Sequence, residues 1–160
     1  MLLGVAKGKE GCLTLSLINQ KYDYVTIDID TSFNTFIKED IGEYTEKKLF
    51  ELQMRGYKME WIKIRKSASG NVHIWIKFQE SYDVFTILKL RAFLKDDAFR
   101  IRNDLRKLFT GQTKEFMILW DGKIVYHKGK RIHKTAGNWY NYVKIYQRYV
   151  EKKLKEKYFK

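Results

Sequence analysis

The chain has 160 residues, 44% of them apolar and 16% aromatic, with a formal charge of +13 and a pI near 9.7. That apolar content excludes a disordered polyelectrolyte. No uninterrupted apolar run approaches the ~18 residues a membrane span requires, and a single cysteine, Cys12, excludes an internal disulfide scaffold. The length suits one domain, 1–160, with a core over about 20–121 and a hairpin and helix over 122–160. The excess of base favours a polyanionic partner, nucleic acid first, with DNA favoured over RNA and a membrane surface as the rival. One cysteine fits a reducing compartment, so a cytoplasmic protein is expected, of thermophile-like composition.

Residues 1–10 read as a loose arm; Gly4-Lys7-Gly8-Lys9 lacks the full phosphate-loop pattern. A short extra strand is expected over 12–18. Tyr22 to Asp30 alternates, with Val25, Ile27 and Ile29 on one side and Tyr24, Thr26, Asp28 and Asp30 on the other. A helix capped by Asp40 is expected to reach about Arg55 and stop at Gly56. Tyr57–Lys66 and Val72–Gln79 are expected strands joined by a tight turn over Ser67–Asn71. In the second of them Val72, Ile74, Ile76 and Phe78 face the core, while His73, Trp75 and Lys77 face away. Helical patterns cover Val84–Leu94 and Asp97–Phe109. A fourth strand is expected over Glu115–Trp120, then an Asp121-Gly122 hairpin turn into Lys123–His127. Lys128–Lys134 reads as a basic loop, and Asn138 to about Phe159 as a long basic helix whose apolar stripe is Trp139, Val143, Tyr146, Val150 and Leu154.

The order strand, helix, strand, strand, helix, strand predicts an α+β, ferredoxin-like (RRM-like) βαββαβ antiparallel sheet with helices on one face. An extra hairpin and the C-terminal helix follow it. The uncovered face would then carry Asp28, Asp30, Trp61, Lys63, Arg65, His73, Trp75, Lys77 and Glu115. Bases between aromatic rings suit a single nucleic-acid strand. Carboxylates there repel phosphate unless a Mg²⁺ or Mn²⁺ ion lies between them. Asp28, Asp30 and Glu115 are its candidate ligands.

The acid pair Asp28-Ile29-Asp30, with Ser67-Ala68-Ser69-Gly70-Asn71-Val72-His73 leading a later strand, resembles the archaeo-eukaryotic primase superfamily in a minimal or degenerate form of archaeal or archaeal-virus type. About fifty residues of pattern carry the resemblance, which implies a virus- or plasmid-encoded protein. The resemblance implies an RRM-like core in which the acid pair binds catalytic metals. It also implies that Ser67 or Ser69, with His73, engages a nucleotide's phosphates. The Gly-to-His spacing is slightly longer than the tightest family form, and the zinc cluster of many primases is absent. The family also uses a third carboxylate. Asp104, in Arg100-Ile101-Arg102-Asn103-Asp104, looks like an Arg-x-Asp form and ranks first; Glu115 and Asp121 are the others. Arg100 and Arg102 are then candidate phosphate ligands.

Plainer readings stand beside these. Asp28 and Asp30 can be an acidic strand end, Asp104 part of a solvated helix face, Asp121 a turn residue, and the tryptophans a second core. The basic residues Lys63, Arg65, Lys77, Lys128, Lys130, Arg131 and Lys134 are candidate nucleic-acid contacts, those after Lys128 foremost. Three functions remain open: metal-dependent nucleotidyl transfer or nuclease chemistry; a non-catalytic single-strand binder; and an interaction protein, such as a homodimer formed through the long helix.

Overall fold

The computed structural model describes residues 20–111 and 116–159, with backbone alone over 143–150. The chain is α+β with antiparallel sheets. Strand β1 is Lys21–Ile29, β2 is Met59–Lys66 and β3 is Val72–Asp83. A helical run, α1, separates β1 from β2 and extends from Phe33 to Met54. Helices α2 (Val84–Phe93) and α3 (Ala98–Thr110) follow β3. A hairpin, β4 (Gly122–His127) and β5 (Lys130–Thr135), forms its own two-stranded sheet. A short strand, β6 (Tyr140–Asn141), leads into α4 (Tyr142–Tyr158). The main sheet runs in the order β1-β3-β2-β6. No described helix is long and apolar enough to cross a membrane.

The first helix begins earlier than Asp40 and is wound unusually. Two π-helical stretches, Phe36–Asp40 and Thr45–Leu49, interrupt its α-helical turns. The buried residues explain this. Phe36, Ile41, Tyr44, Leu49 and Leu52 all face the core. Two of the intervals, 36 to 41 and 44 to 49, are five residues, which an i→i+5 turn brings back to one side and an α turn does not. Asp40 therefore lies within the run and its side chain caps nothing.

The alternation read in β1 and β3 holds. Val25, Ile27, Ile74 and Ile76 are fully buried, with Ile64 and Phe78, beneath α1 and α2. Tyr142, the first residue of α4, is also buried there, and its hydroxyl meets that of Thr45 at 2.9 Å. The stripe residues Val143, Tyr146 and Val150 fall among side chains not described, and the strand expected over 12–18 lies outside the described residues.

The expected fourth strand is a correction. Residues 116–120 form no strand; they cross the second face of the sheet as an irregular segment. Side chains bind their carbonyls in place of a ladder. Thr26 Oγ1 donates to Met117 O at 2.6 Å, Arg100 to Ile118 O at 3.3 Å, and Arg65 to both Leu119 O and Trp120 O at 3.4 Å. The outer edge of β1, where a fourth strand would pair, is occupied by the corner between α2 and α3. Asp28 N donates to Asp96 Oδ1 (2.8 Å), Asp97 N donates to Asp28 O (2.9 Å), and Arg100 Nη1 donates to Thr26 O (2.8 Å). The edge of β1 at Thr26 and Asp28 is thereby paired and closed to another strand.

Two further expectations change. The hairpin turns at Lys128-Gly129 and not at Asp121-Gly122. Lys128 and Gly129 have φ of 49° and 75°, the pair of positive values that a two-residue type I′ turn needs. The residues read as a basic loop over 128–134 are thus mostly strand β5. The long helix begins at Tyr142, because Tyr140 and Asn141 pair with Ile64 and Lys63 of β2.

The α2–α3 corner is held by buried charge. Arg91, fully buried, donates from Nε to Asp96 Oδ2 at 2.6 Å and lies 2.7 Å from Asp104 Oδ2 through Nη1. Removing one partner of a buried pair strands the other charge, a loss of about 3–5 kcal/mol. Asp96→Ala should therefore cost stability of that order in urea unfolding. Glu51→Ala, which breaks only the exposed Arg55 pair, should cost less than about 1 kcal/mol. Equal losses would show that the corner is not held this way.

Candidate nucleotide and phosphate site

A cleft of roughly 420 Å³ opens where the β2–β3 turn, the start of α3 and the 116–123 segment meet. Its lining includes Asp28, Ser67, Ser69, His73, Arg100, Asp104, Lys107 and Lys123. Hairpin register brings the centre together. In the sheet His73 is opposite both Asp28 of β1 and Arg65 of β2, so the three share one face. Ser67–Asn71 closes the β2–β3 hairpin through Ser67 N to Asn71 O at 2.9 Å, with Gly70 at φ 89°, a value only glycine adopts without strain.

His73 is buried, and Arg65 decides its chemistry. Arg65 Nε donates to His73 Nδ1 at 3.0 Å. A nitrogen that accepts carries no proton, so the neutral ring has its proton on Nε2. That nitrogen is 3.8 Å from Asp28 Oδ2. Burial first, then the Arg65 and Arg100 charges, push the His73 pKa down to about 4. At neutral pH the His73–Asp28 contact is thus a neutral donor facing a carboxylate and not an ion pair. Arg65 is fixed in turn by Asp121 Oδ1 at 2.7 Å and by the Trp139 ring, 4.4 Å from its guanidinium carbon.

Asp28 has a pKa raised to about 6, mainly by burial; Arg100 opposes the rise, and Asp96, Asp97 and Asp30 add to it. It lines the cleft, and among the described residues its side chain is not taken up by a hydrogen bond in the way the other cleft acids are. Asp97 Oδ1 caps α3 at Arg100 N (3.0 Å). Asp104 is held by Arg91, by Lys107 at 3.2 Å and by Met117 N at 3.2 Å.

The other expected residues divide. Asp30 leaves the pair: β1 ends at Ile29, Thr31 N turns back to Ile29 O, and Asp30 Oδ1 accepts from Asn71 Nδ2 at 3.1 Å. Period-two alternation ends where the strand ends. Ser67 Oγ accepts from Asn71 N at 3.0 Å, and Ser69 Oγ faces Lys123 Nζ at 3.4 Å. Arg100 is engaged with Asp96, Thr26 and Ile118. Arg102 is exposed and does not line the cleft. Glu115 lies outside the described residues. Trp75 is half-buried beneath the Trp61 and Trp139 rings (centroids 5.3 and 5.7 Å), Lys63 lies over Trp61 and Lys77 pairs with Asp23.

Three residues that sequence reading missed complete the site: Arg91, Asp96 and Lys107. The Asp96-Asp97 doublet before an apolar helix was a capping signal; nothing in the sequence marks Arg91 as buried. Among the described residues no three His, Cys, Asp or Glu side chains converge as a metal cluster. His73 is also unsuited to ligation through Nε2, because a ligating imidazole donates from its other nitrogen, and here that nitrogen accepts. Comparison of the chain with family models, curated proteins and solved structures found no match.

The two shifted groups oppose each other with pH. His73, lowered from 6.5 to about 4, contributes stability that is present above pH 6.5 and lost as pH falls through 4. Asp28, raised from 3.8 to about 6, contributes stability that is present below pH 3.8 and lost as pH rises through 6. Between pH 4 and 6 the two slopes offset each other. Urea unfolding across that window should show stability climbing with pH in Asp28→Asn and falling with pH in His73→Gln. Identical slopes in both variants would remove this account of the pair.

Proposed function

We propose that the protein binds nucleic acid and that the cleft receives phosphate groups, those of a nucleotide or of a chain end. The observation that carries this reading is the Arg65–His73 contact, which makes His73 Nε2–H a permanent donor into a cleft also lined by Lys107, Lys123, Ser67 and Ser69. A donor flanked by cations suits an anionic oxygen. The primase-like resemblance gives its histidine and serine the same task.

A three-carboxylate metal centre does not fit the described residues, since Asp30 faces Asn71 and Asp104 is spent on Arg91. A single Mg²⁺ or Mn²⁺ shared between Asp28 and substrate phosphates does fit, because Mg²⁺ is commonly held by one or two carboxylates and phosphate oxygens. Such an ion would neutralise charge during phosphoryl transfer. Within the chain, Asp28 supplies the carboxylate, His73 and Lys107 hold phosphate oxygens, and Arg65 keeps His73 in its donor tautomer. A non-catalytic binder is the second reading, favoured by the commitment of Asp104 and Asp97 to structural partners.

Titration with a nucleoside triphosphate tests the reading. His73→Leu should weaken binding roughly 10- to 100-fold, the loss of a hydrogen bond to a charged group worth about 1.5–3 kcal/mol. Unchanged affinity would sink it. Labelled DNA with Mg²⁺ or Mn²⁺, with and without triphosphates, then separates the chemistries. Extension or shortening that disappears in Asp28→Asn identifies transferase or nuclease; retained binding with no change in length identifies a binder.

A further inference from the structure

The β4–β5 hairpin stands apart from the main sheet, and the residues on both of its faces are largely exposed. An isolated two-stranded hairpin is marginal in water. This one is also loaded with like charge. Lys123 lies directly opposite Lys134. Same-sign pairs across an antiparallel ladder are destabilising. No Asp or Glu occurs anywhere from 122 to 150 to relieve them. Lys123, His127, Lys130 and Lys134 share one face; Arg131 and His133 lie on the other beside Ile124 and Tyr126, and Lys128 is at the tip. Tyr126 is 74% exposed.

We infer that the hairpin is a ribbon that inserts into the major groove of double-stranded B-form DNA. Base is carried on both faces and at the tip, so the complementary surface must flank the ribbon on both sides. A bilayer or a single strand offers only one side; a groove walled by phosphates offers two. Two strands ~4.8 Å apart fit the ~12 Å major groove of B-DNA, which admits a β-ribbon. The A-form RNA groove is too narrow for side chains to read. Six-residue strands reach about 20 Å, more than half of a ~34 Å helical turn. The base of the ribbon joins the cleft, since Gly122 and Lys123 line it, so a duplex in the ribbon leads its strand toward His73. The inference rests on the reading of the protein as a nucleic-acid binder and adds the form of the ligand.

Anisotropy titrations test it, using a labelled DNA duplex of about 20 base pairs, either single strand of it, an RNA duplex of the same sequence, and vesicles of equal parts phosphatidylserine and phosphatidylcholine. The wild type should prefer the DNA duplex. Lys130→Glu/Arg131→Glu, both sites exposed, should keep its circular dichroism spectrum, lose about tenfold or more in duplex affinity, and lower the salt slope by about 2. Methyl green, a major-groove ligand, should compete; netropsin, a minor-groove ligand, should not. Unaltered duplex binding by the double variant overturns the inference, as does preference for RNA duplex, single strand or vesicle, or competition by netropsin alone. His73→Leu separates the two proposals: duplex affinity kept while triphosphate binding is lost supports the ribbon as its own element. Ribbon-dependent duplex binding by a wild type that does not bind triphosphate would support the ribbon and end the cleft reading alone.

Discussion

One buried cation holds the architecture of the site. Arg91 has no exposed surface and sits between Asp96 and Asp104. Each of these acids carries a second duty. Asp96 accepts from Asp28 N and from Arg100, which fixes the α2–α3 corner against the edge of β1. Asp104 accepts from Met117 N, which fixes the segment that roofs the cleft. A buried charge is held where opposite charges lie against it, and Arg91 has a hydrogen bond from Nε to Asp96 and an ion pair with Asp104 at 2.7 Å. The corner, the roof and strand β1 are therefore fixed relative to each other, and the cleft between them has a defined shape.

That constraint separates acids by task. Asp96, Asp97 and Asp104 are consumed by structure, while Asp28 remains directed at the cleft with a pKa raised to about 6 by its burial. Arg65 makes a similar separation at His73. A guanidinium donating to Nδ1 leaves the ring as a donor through Nε2 and removes it from the set of metal ligands. The site thus presents donors at His73, Lys107 and Lys123, with Asp28 beside them while Asp97 and Asp104 are held by structural partners. A phosphate placed there would neutralise the cations, and a cation bound with it would neutralise Asp28.

The second face of the sheet combines the plain and the functional readings. Tyr24, Trp61, Trp75 and Trp139 pack edge to face into a small second core, and Trp139 also covers Arg65. The aromatics there support the site from below and do not form an open stacking platform. Exposed basic residues lie further along the chain, on the hairpin and the end of α4, where Lys152 and Lys153 pair with Glu156 and Lys155 and Lys157 follow.

The pattern of residues along the chain determined the strands β1, β2 and β3, their inward faces, the turn at Ser67–Asn71 and the helices after β3, because period and turn chemistry are local. It also placed Arg65 and His73 on one face, since hairpin register follows from counting back from a tight turn, and the expected strand order set the end of β1, with Asp28, beside the start of β3. What it left undecided was long-range. The π turns of α1 follow from how five-residue spacings meet a sheet built elsewhere. The missing fourth strand follows from Asp96, Asp97 and Arg100 taking the edge of β1 first. Asp30 was separated from Asp28 by the end of a strand, and Asp104 was claimed by an arginine thirteen residues earlier that only packing could bury. The sequence by itself determined which side chains share a strand face. Only the tertiary structure decided which of them stay available for chemistry, because availability depends on partners that distant segments bring.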